Sequence, residues 1–237
     1  LHTPKTWRKK IDKVISRYDE IVEDGIRSLP PAKMLLLQKD AISEMPMHRT
    51  LCLLQAIDDV LPQSLINEAV KLPIAKLLPS TIGNLRFGPE VGIGVIKEDV
   101  DVVGAWESEM ERIIDDSVMV AKERGGSFTC GSPDFYAIPD DARELREVIS
   151  RYSESPSMRF DNVFTSPPYP NEKDYTRAHR LEMVMLGFID DRQSLQALKR
   201  GMLCSNTRTA YADNTDDLFV SGIFRIEDIC RDIEQRR

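Results

Sequence analysis

Ser166, Pro167, Pro168 and Tyr169 follow one another directly after Asn162-Val163-Phe164 and Thr165, and no other stretch of this chain is as well suited to chemistry. Two adjacent prolines hold φ near about −65° and remove two backbone donors, so a loop built on them can turn its carbonyl oxygens toward a pocket. The plainer reading of the same residues is a turn or a polyproline II stretch. Pro167-Pro168-Tyr169-Pro170 satisfies the P-x-x-P pattern of a peptide ligand. The flanks argue for a built site. Asp161 to Thr165 reads as a strand entering the loop, and Glu172 to Phe188 reads as a helix with Tyr175, Leu181, Val184, Met185 and Phe188 at roughly helical spacing. Strand, loop and helix in that order suit a site at the carboxyl end of a sheet strand.

The loop resembles the catalytic loop of DNA methyltransferases that modify exocyclic amino groups. Its Ser-Pro-Pro form leans toward the cytosine-N4 enzymes, whereas Asp-Pro-Pro or Asn-Pro-Pro leans toward the adenine-N6 enzymes. Residues 166–177, Arg180-Leu181-Glu182 and Leu186-Gly187-Phe188 are similar to a bacterial subgroup of these site-specific enzymes. So are Asn84 to Glu90 and Ser205-Asn206-Thr207-Arg208. The similarity covers residues 84 to 237, and the first eighty residues add little to it. It implies S-adenosyl-L-methionine as cofactor and DNA as partner, with a cognate restriction endonuclease as a further partner in a restriction-modification pair.

The resemblance also implies roles. An exocyclic amino nitrogen delocalises its lone pair into the ring and is a poor nucleophile. Ser166 Oγ and the Pro167 carbonyl would accept its two hydrogens and free the lone pair, an electrostatic effect typically worth ~2.7–4 kcal/mol per well-placed group. Pro168 completes the rigid loop. Tyr169 would stack on the target base after it has rotated out of the duplex. No strong general base is required, because the nitrogen becomes acidic once methylated.

On the cofactor side the resemblance implies an acidic residue after a strand, for which Asp134 is the first candidate and Asp141 the second, with Thr165 at the catalytic strand's end. Asp134 and Asp141 are equally explained as turn and helix-cap residues. One implied motif is missing: an Asp-Pro-Phe-x-Gly-x-Gly-like turn. Val91-Gly92-Ile93-Gly94-Val95 has two glycines without the acid or the Pro-Phe, a pattern more typical of a turn or a strand kink. Leu1 opens in polar text rather than at Met, and Arg236-Arg237 closes on a running helix. The expectation is therefore an internal fragment of a longer enzyme, inactive alone.

Charge opposes a nucleic-acid enzyme. Thirty-nine acids against thirty-two bases give −7, where a DNA-binding domain often carries a basic footprint. Bases nevertheless gather near the loop: Lys173, Arg177, His179, Arg180, Lys199, Arg200 and Arg208. Lys173, Arg177, Arg180 and Arg208 are the candidates for backbone phosphates, and the alternative is a solvated helix face. Asp213–Asp217 argues that DNA does not run over the far end of the Arg208 loop. Four scattered cysteines without a C-x-x-C, and three scattered histidines, point to reduced thiols in a cytoplasmic protein with no metal site. No apolar run approaches the ~20 residues of a membrane helix.

The elements around the loop follow from periodicity. Pro4 to Ile26 predicts an amphipathic helix, followed by helical stretches over 31–43, 50–58 and 61–78, the last broken at Pro73. Residues 1–83 thus form a helical region, an insertion or cover, and residues 84–237 a partial catalytic domain. Asp99 to Arg124 is a helix with Val102, Val103, Trp106, Met110, Ile113, Ile114 and Val118 inward. Ser127–Cys130, the helix over 139–150 and the strand before Ser166 read as one parallel β-α-β unit. The expected fold is α/β, a partial Rossmann-like methyltransferase sheet with an added helical region. Two rivals stand: a non-catalytic interaction protein using Pro167–Pro170 as a ligand, and a methyltransferase acting on RNA or on a protein side-chain amide.

Overall fold

The computed structural model describes residues 4–62, 65–88, 90–123, 138, 140–152, 161–166, 174–202, 218 and 221–236. In chain order the helices are α1 (Pro4–Ile21), α2 (Pro31–Met34), α3 (Glu44–Val60), α4 (Leu65–Leu77) and α5 (Val102–Glu123). After them come α6 (Leu145–Tyr152), α7 (Tyr175–Ala178), α8 (Arg180–Met185), α9 (Arg192–Gly201) and α10 (Phe224–Gln235). The chain divides into two compact units, Leu1–Cys130 with Tyr175–Ala197, and Gly131–Asp174 with Leu198–Arg237.

In the first unit α1 packs on α3. Ile11, Val14, Tyr18 and Ile21 recur at three- and four-residue intervals and are all buried against a core that includes Cys52, Leu53, Ala56 and Ile57 of α3. The first helix stops at Ile21, short of the expected Ile26, and Ile26 is exposed. Gly25, at φ 115°, turns the chain in a conformation that costs glycine little. Buried His48 serves that turn: its Nδ1 accepts the Arg27 N–H at 3.0 Å, and its Nε2 donates to the Val22 carbonyl at 2.9 Å. The third helix begins at Glu44, earlier than periodicity predicts. Trp106 of α5 is fully buried, and its Nε1 donates to Val70 O of α4 at 2.8 Å. Ile113 and Val118 of α5, expected inward, are exposed.

Pro73 does not break α4. The helix runs through it to Leu77 and continues as a π-helical turn, Leu78–Ile82, closed by Gly83 N–H to Leu78 O at 2.8 Å. The next residue, Asn84, is 1% exposed and fully bonded. Its N–H donates to Ala41 O at 2.8 Å, and its carbonyl accepts from Gly94 N at 2.6 Å. Its Nδ2 donates to Asp40 O at 3.0 Å and to Ser43 Oγ at 3.1 Å, while Oδ1 accepts from Lys97 N at 3.0 Å. A Cβ on Gly83 would lie 2.5 Å from Leu78 O, 2.7 Å from Leu181 Cδ2 and 2.9 Å from Ala41 O, so only glycine fits. Beyond this node β1 (Leu85–Arg86) pairs antiparallel with β2 (Gly92–Ile93), Leu85 opposite Ile93 and Arg86 opposite Gly92.

Of residues 172–188, expected as one helix, the described ones from Asp174 on give α7 and α8 with a turn at His179. Leu181, Val184 and Met185 are buried as the spacing implies, and Phe188 is exposed. After α8 the chain reverses at Gly187, φ 81°, with Phe188 N bonded to Met183 O at 2.8 Å and Gly187 N to Val184 O at 3.3 Å. This is the paired hydrogen-bond pattern of a Schellman ending.

The expected Rossmann-like sheet is corrected. The described residues are mostly helical, and their only strands are β1 and β2, two residues each and antiparallel. The segment Asp161–Thr165, expected to be a parallel strand, joins no ladder, and Val163 and Phe164 are 78% and 96% exposed. A parallel strand is covered on both faces and reads as apolar for that reason; here the same apolar residues face solvent. The expected strand at 127–130 lies outside the described residues.

Because the Asn84 side chain satisfies Lys97 N–H at a buried point, Asn84→Ala is expected to cost about 2 kcal/mol. Gly83→Ala should cost roughly 1–3 kcal/mol through overpacking. Urea unfolding followed by tryptophan emission measures both, and wild-type midpoints would remove the node from the argument.

Candidate functional site

The second unit carries the proposed loop's entrance and exit. Asp161 to Ser166 is exposed and free of regular structure, which leaves the side chains of Thr165 and Ser166 at the surface. Pro167, Pro168, Tyr169 and Lys173 lie outside the described residues, as do Asp134 and Arg208. The chain is next described at Asp174, where Lys199 Nζ of α9 lies 3.0 Å from Asp174 Oδ2. Both side chains are largely covered, 16% and 9% exposed. Periodicity reads Asp174 only as an acid in a helical first turn and Lys199 only as one base in a cluster; twenty-five residues separate them, so no local signal pairs them.

Asp141 has a defined local task. It precedes the 3₁₀ turn Ala142–Glu144 that leads into α6, and its Oδ1 accepts the Arg143 N–H at 2.9 Å, a capping arrangement that satisfies an otherwise orphaned donor. The Arg143 guanidinium then straddles the carboxylate, Nε 3.0 Å from each oxygen and Nη2 2.5 Å from Oδ2. Arg143 Nη2 also donates to Gly201 O at 3.2 Å, where α9 ends. The Arg143 side-chain and backbone hydrogen bonds hold the Asp141 carboxyl below the ordinary aspartate range. Asp140 pairs with Arg151 at 3.0 Å.

Arg177 and Arg180, expected to face phosphates, belong to the first unit and are turned onto acceptors of their own chain. Arg177 Nη1 lies 2.8 Å from Glu90 Oε2 and its Nη2 3.4 Å from Val91 O. Arg180 Nε donates to Thr176 O at 3.0 Å, Nη2 to Thr176 Oγ1 at 3.1 Å and Nη1 to Leu36 O at 3.4 Å. Thr176 is buried. These two guanidiniums tie α7 and α8 to the β1–β2 connection and to the end of α2. Stacked on the same helix, His179 Nδ1 lies 3.1 Å from Glu182 Oε1.

Of the cofactor candidates, Asp141 and Thr165 are described, and Asp134 lies outside the described residues. Asp141, the described acidic candidate, has both oxygens engaged by Arg143. Thr165 stands exposed. Gly92 sits in an antiparallel strand with open space where a Cβ would be, not in a tight turn against a ligand. Among the described residues no group of His, Cys, Asp and Glu could hold a metal ion. Cys52 is buried with its thiol pushed up by desolvation, which disfavours the reactive thiolate. No described helix is long and apolar enough to cross a membrane.

No family model, curated protein or solved structure matches this chain.

The Asp141–Arg143 contact is testable on its own. A carboxyl with a depressed folded-state pKa contributes stability above its unfolded value of about 3.9 and loses that contribution as pH falls through the lower folded value. Carbon-detected NMR titration should show Asp141 titrating below that value in wild type and moving up toward it in Arg143→Met. An unmoved Asp141 would exclude the guanidinium as the cause.

Proposed function

We propose that this protein takes part in S-adenosylmethionine-dependent methylation of an exocyclic amino group of a base in DNA, cytosine N4 in preference to adenine N6. The observation that carries the reading is the succession Thr165-Ser166-Pro167-Pro168-Tyr169. Three different demands of the reaction meet in it: an acceptor hydroxyl, a carbonyl stripped of competing donors, and a flat ring. S-adenosylmethionine supplies the methyl group in this reading. The chain's own residues act on the nucleophile. Ser166 Oγ and the Pro167 carbonyl accept hydrogen bonds from the amino group as its nitrogen becomes tetrahedral, a geometry that strengthens those bonds only as the reaction proceeds. The exposure of Ser166 leaves its hydroxyl open to a base brought from outside. Tyr169 offers a stacking surface that offsets part of the few kcal/mol needed to unstack that base.

A second reading has an observation of its own. Val163 and Phe164 are 78% and 96% exposed, which suits a surface peptide more than a strand end beside a cleft. On that reading Pro167–Pro170 is a polyproline ligand for an aromatic-lined groove of another protein, and no methyl group is moved.

Duplex DNA incubated with the protein and labelled S-adenosylmethionine, then digested to nucleosides, separates the two. Where a methylated base forms, N4-methylcytosine is expected, with Ser166→Ala and Tyr169→Ala each lowering its formation at least ~10²-fold while circular dichroism stays unchanged. N6-methyladenine would move the assignment to the adenine enzymes. Mutants that form methylated base as fast as wild type would overturn the catalytic reading in favour of the ligand.

A further inference from the structure

We propose that the lysine face of α1, formed by Lys5, Lys9 and Lys13 with Lys10 at its edge, is a docking surface for the phosphate backbone of duplex DNA. The choice of DNA among polyanions rests on the methylation reading, whereas the surface itself rests on the charges of α1. The chain carries −7, yet residues 5–13 hold five bases against one acid, Asp12. Lys5, Lys9 and Lys13 recur every four residues and are all exposed, while Ile11, Val14 and Tyr18 of the same helix are buried. Side chains four apart on a helix are neighbours at about 6 Å. The three lysines therefore form one continuous row.

The partners of these bases divide them by type. Arg8 holds Glu111 through contacts of 2.7, 3.0 and 3.1 Å, and Arg17 lies 2.7 Å from Asp59 and 2.8 Å from Glu20. The two arginines thus neutralise carboxylates on α5 and α3, the helices on which α1 packs. Lys5, Lys9, Lys10 and Lys13 have no carboxylate partner among the described residues. The first turn of α1 contains no acid and holds Lys5 instead. That end of a helix carries about half a positive charge, so a base there works against the helix and raises the local positive potential. A helix shaped for stability alone favours an acid at this point, and such a departure from the local rule is characteristic of a functional surface.

Duplex DNA presents one charge per ~3.4 Å of axis on each strand, dense enough for a row of lysines to engage several phosphates at once. Lysine binds phosphate as a mobile point charge and needs no fixed fork. The apolar face of α1 is committed to the core, which leaves nothing to insert into a lipid surface and favours a polyanion in solution. Arg177 and Arg180 hold acceptors of their own chain, so α1 supplies charge that they do not.

The test measures binding of the full chain to a mixed-sequence DNA duplex by fluorescence anisotropy across a salt series, separately from methyl transfer. Each lysine that neutralises a phosphate contributes about 0.9 to the slope of log K against log salt. Lys9→Gln should lower the slope by about that amount, and the triple Lys5→Gln, Lys9→Gln, Lys13→Gln by about three times as much. Arginine at the same three positions should keep the wild-type slope. Lys122→Gln, at an exposed base near the end of α5, should leave it unchanged. A glutamine triple that folds by circular dichroism and keeps the wild-type slope overturns the inference, and so does an equal loss from Lys122→Gln. A wild-type chain that binds no DNA overturns it too, as does one that prefers phosphatidylserine–phosphatidylcholine vesicles or an RNA duplex. Should the triple fail to fold, Lys9→Gln alone decides. The catalytic reading fails separately: a chain that binds DNA through α1 and methylates no base leaves this surface standing. Methylation that survives the glutamine triple with an unchanged KM for DNA removes the surface and leaves the catalysis.

Discussion

The first unit depends on Asn84 having nowhere else to go. Its five hydrogen bonds reach residues 40, 41, 43, 94 and 97, so the stretch before α3 and the stretch beyond β2 converge on one buried side chain. Asp40 supports this from a strained position, φ 63°, which costs a non-glycine residue of order 1–2 kcal/mol. That strain points its carbonyl at Asn84 Nδ2. Gly83 lets the π-helical turn approach Ala41 and Leu181 to distances no Cβ would allow. With the node made, Leu181 and Val184 of α8 can bury against the same core as α1 and α3, although α8 follows in sequence only after a long excursion. A polar side chain with every group satisfied at such a junction specifies one arrangement where apolar packing alone tolerates several.

Among its described residues the second unit holds several ion pairs between short segments. These are Lys199 with Asp174, Arg143 with Asp141 and Arg151 with Asp140. Val148 is buried in α6, whereas α10 buries no side chain at all. Pairs of partly covered charges are geometrically demanding and modest in energy.

Sequence patterning and tertiary contact part company at identifiable residues. The spacing of Ile11, Val14, Tyr18 and Ile21, and of Val102, Trp106 and Met110, is read correctly because a helix facing a core must repeat every three to four residues. Leu181, Val184 and Met185 obey the same rule. Residues 161–165 read as a strand in the sequence, but β-branched and aromatic residues mark a strand only where neighbours pair with them and cover them; exposed Val163 and Phe164 have no such ladder. Pro73 was misread in the opposite direction: a proline costs α4 one donor, and packing on α5 outweighs it. Asn84 was noticed only as part of a resemblance, and its partners lie up to forty-four residues away, beyond the reach of any periodicity.

The fate of the basic residues follows the same logic. Arg177, Arg180 and Lys199 form a cationic cluster when read along the chain, and a cationic cluster reads as a phosphate track. In the fold each is spent on its own chain: on Glu90 and Val91, on Thr176 and Leu36, and on Asp174. Planar guanidiniums are well suited to this use, since one Arg can satisfy several carbonyls at fixed angles. The formal charge of −7 is therefore not offset by a basic face made from these three residues.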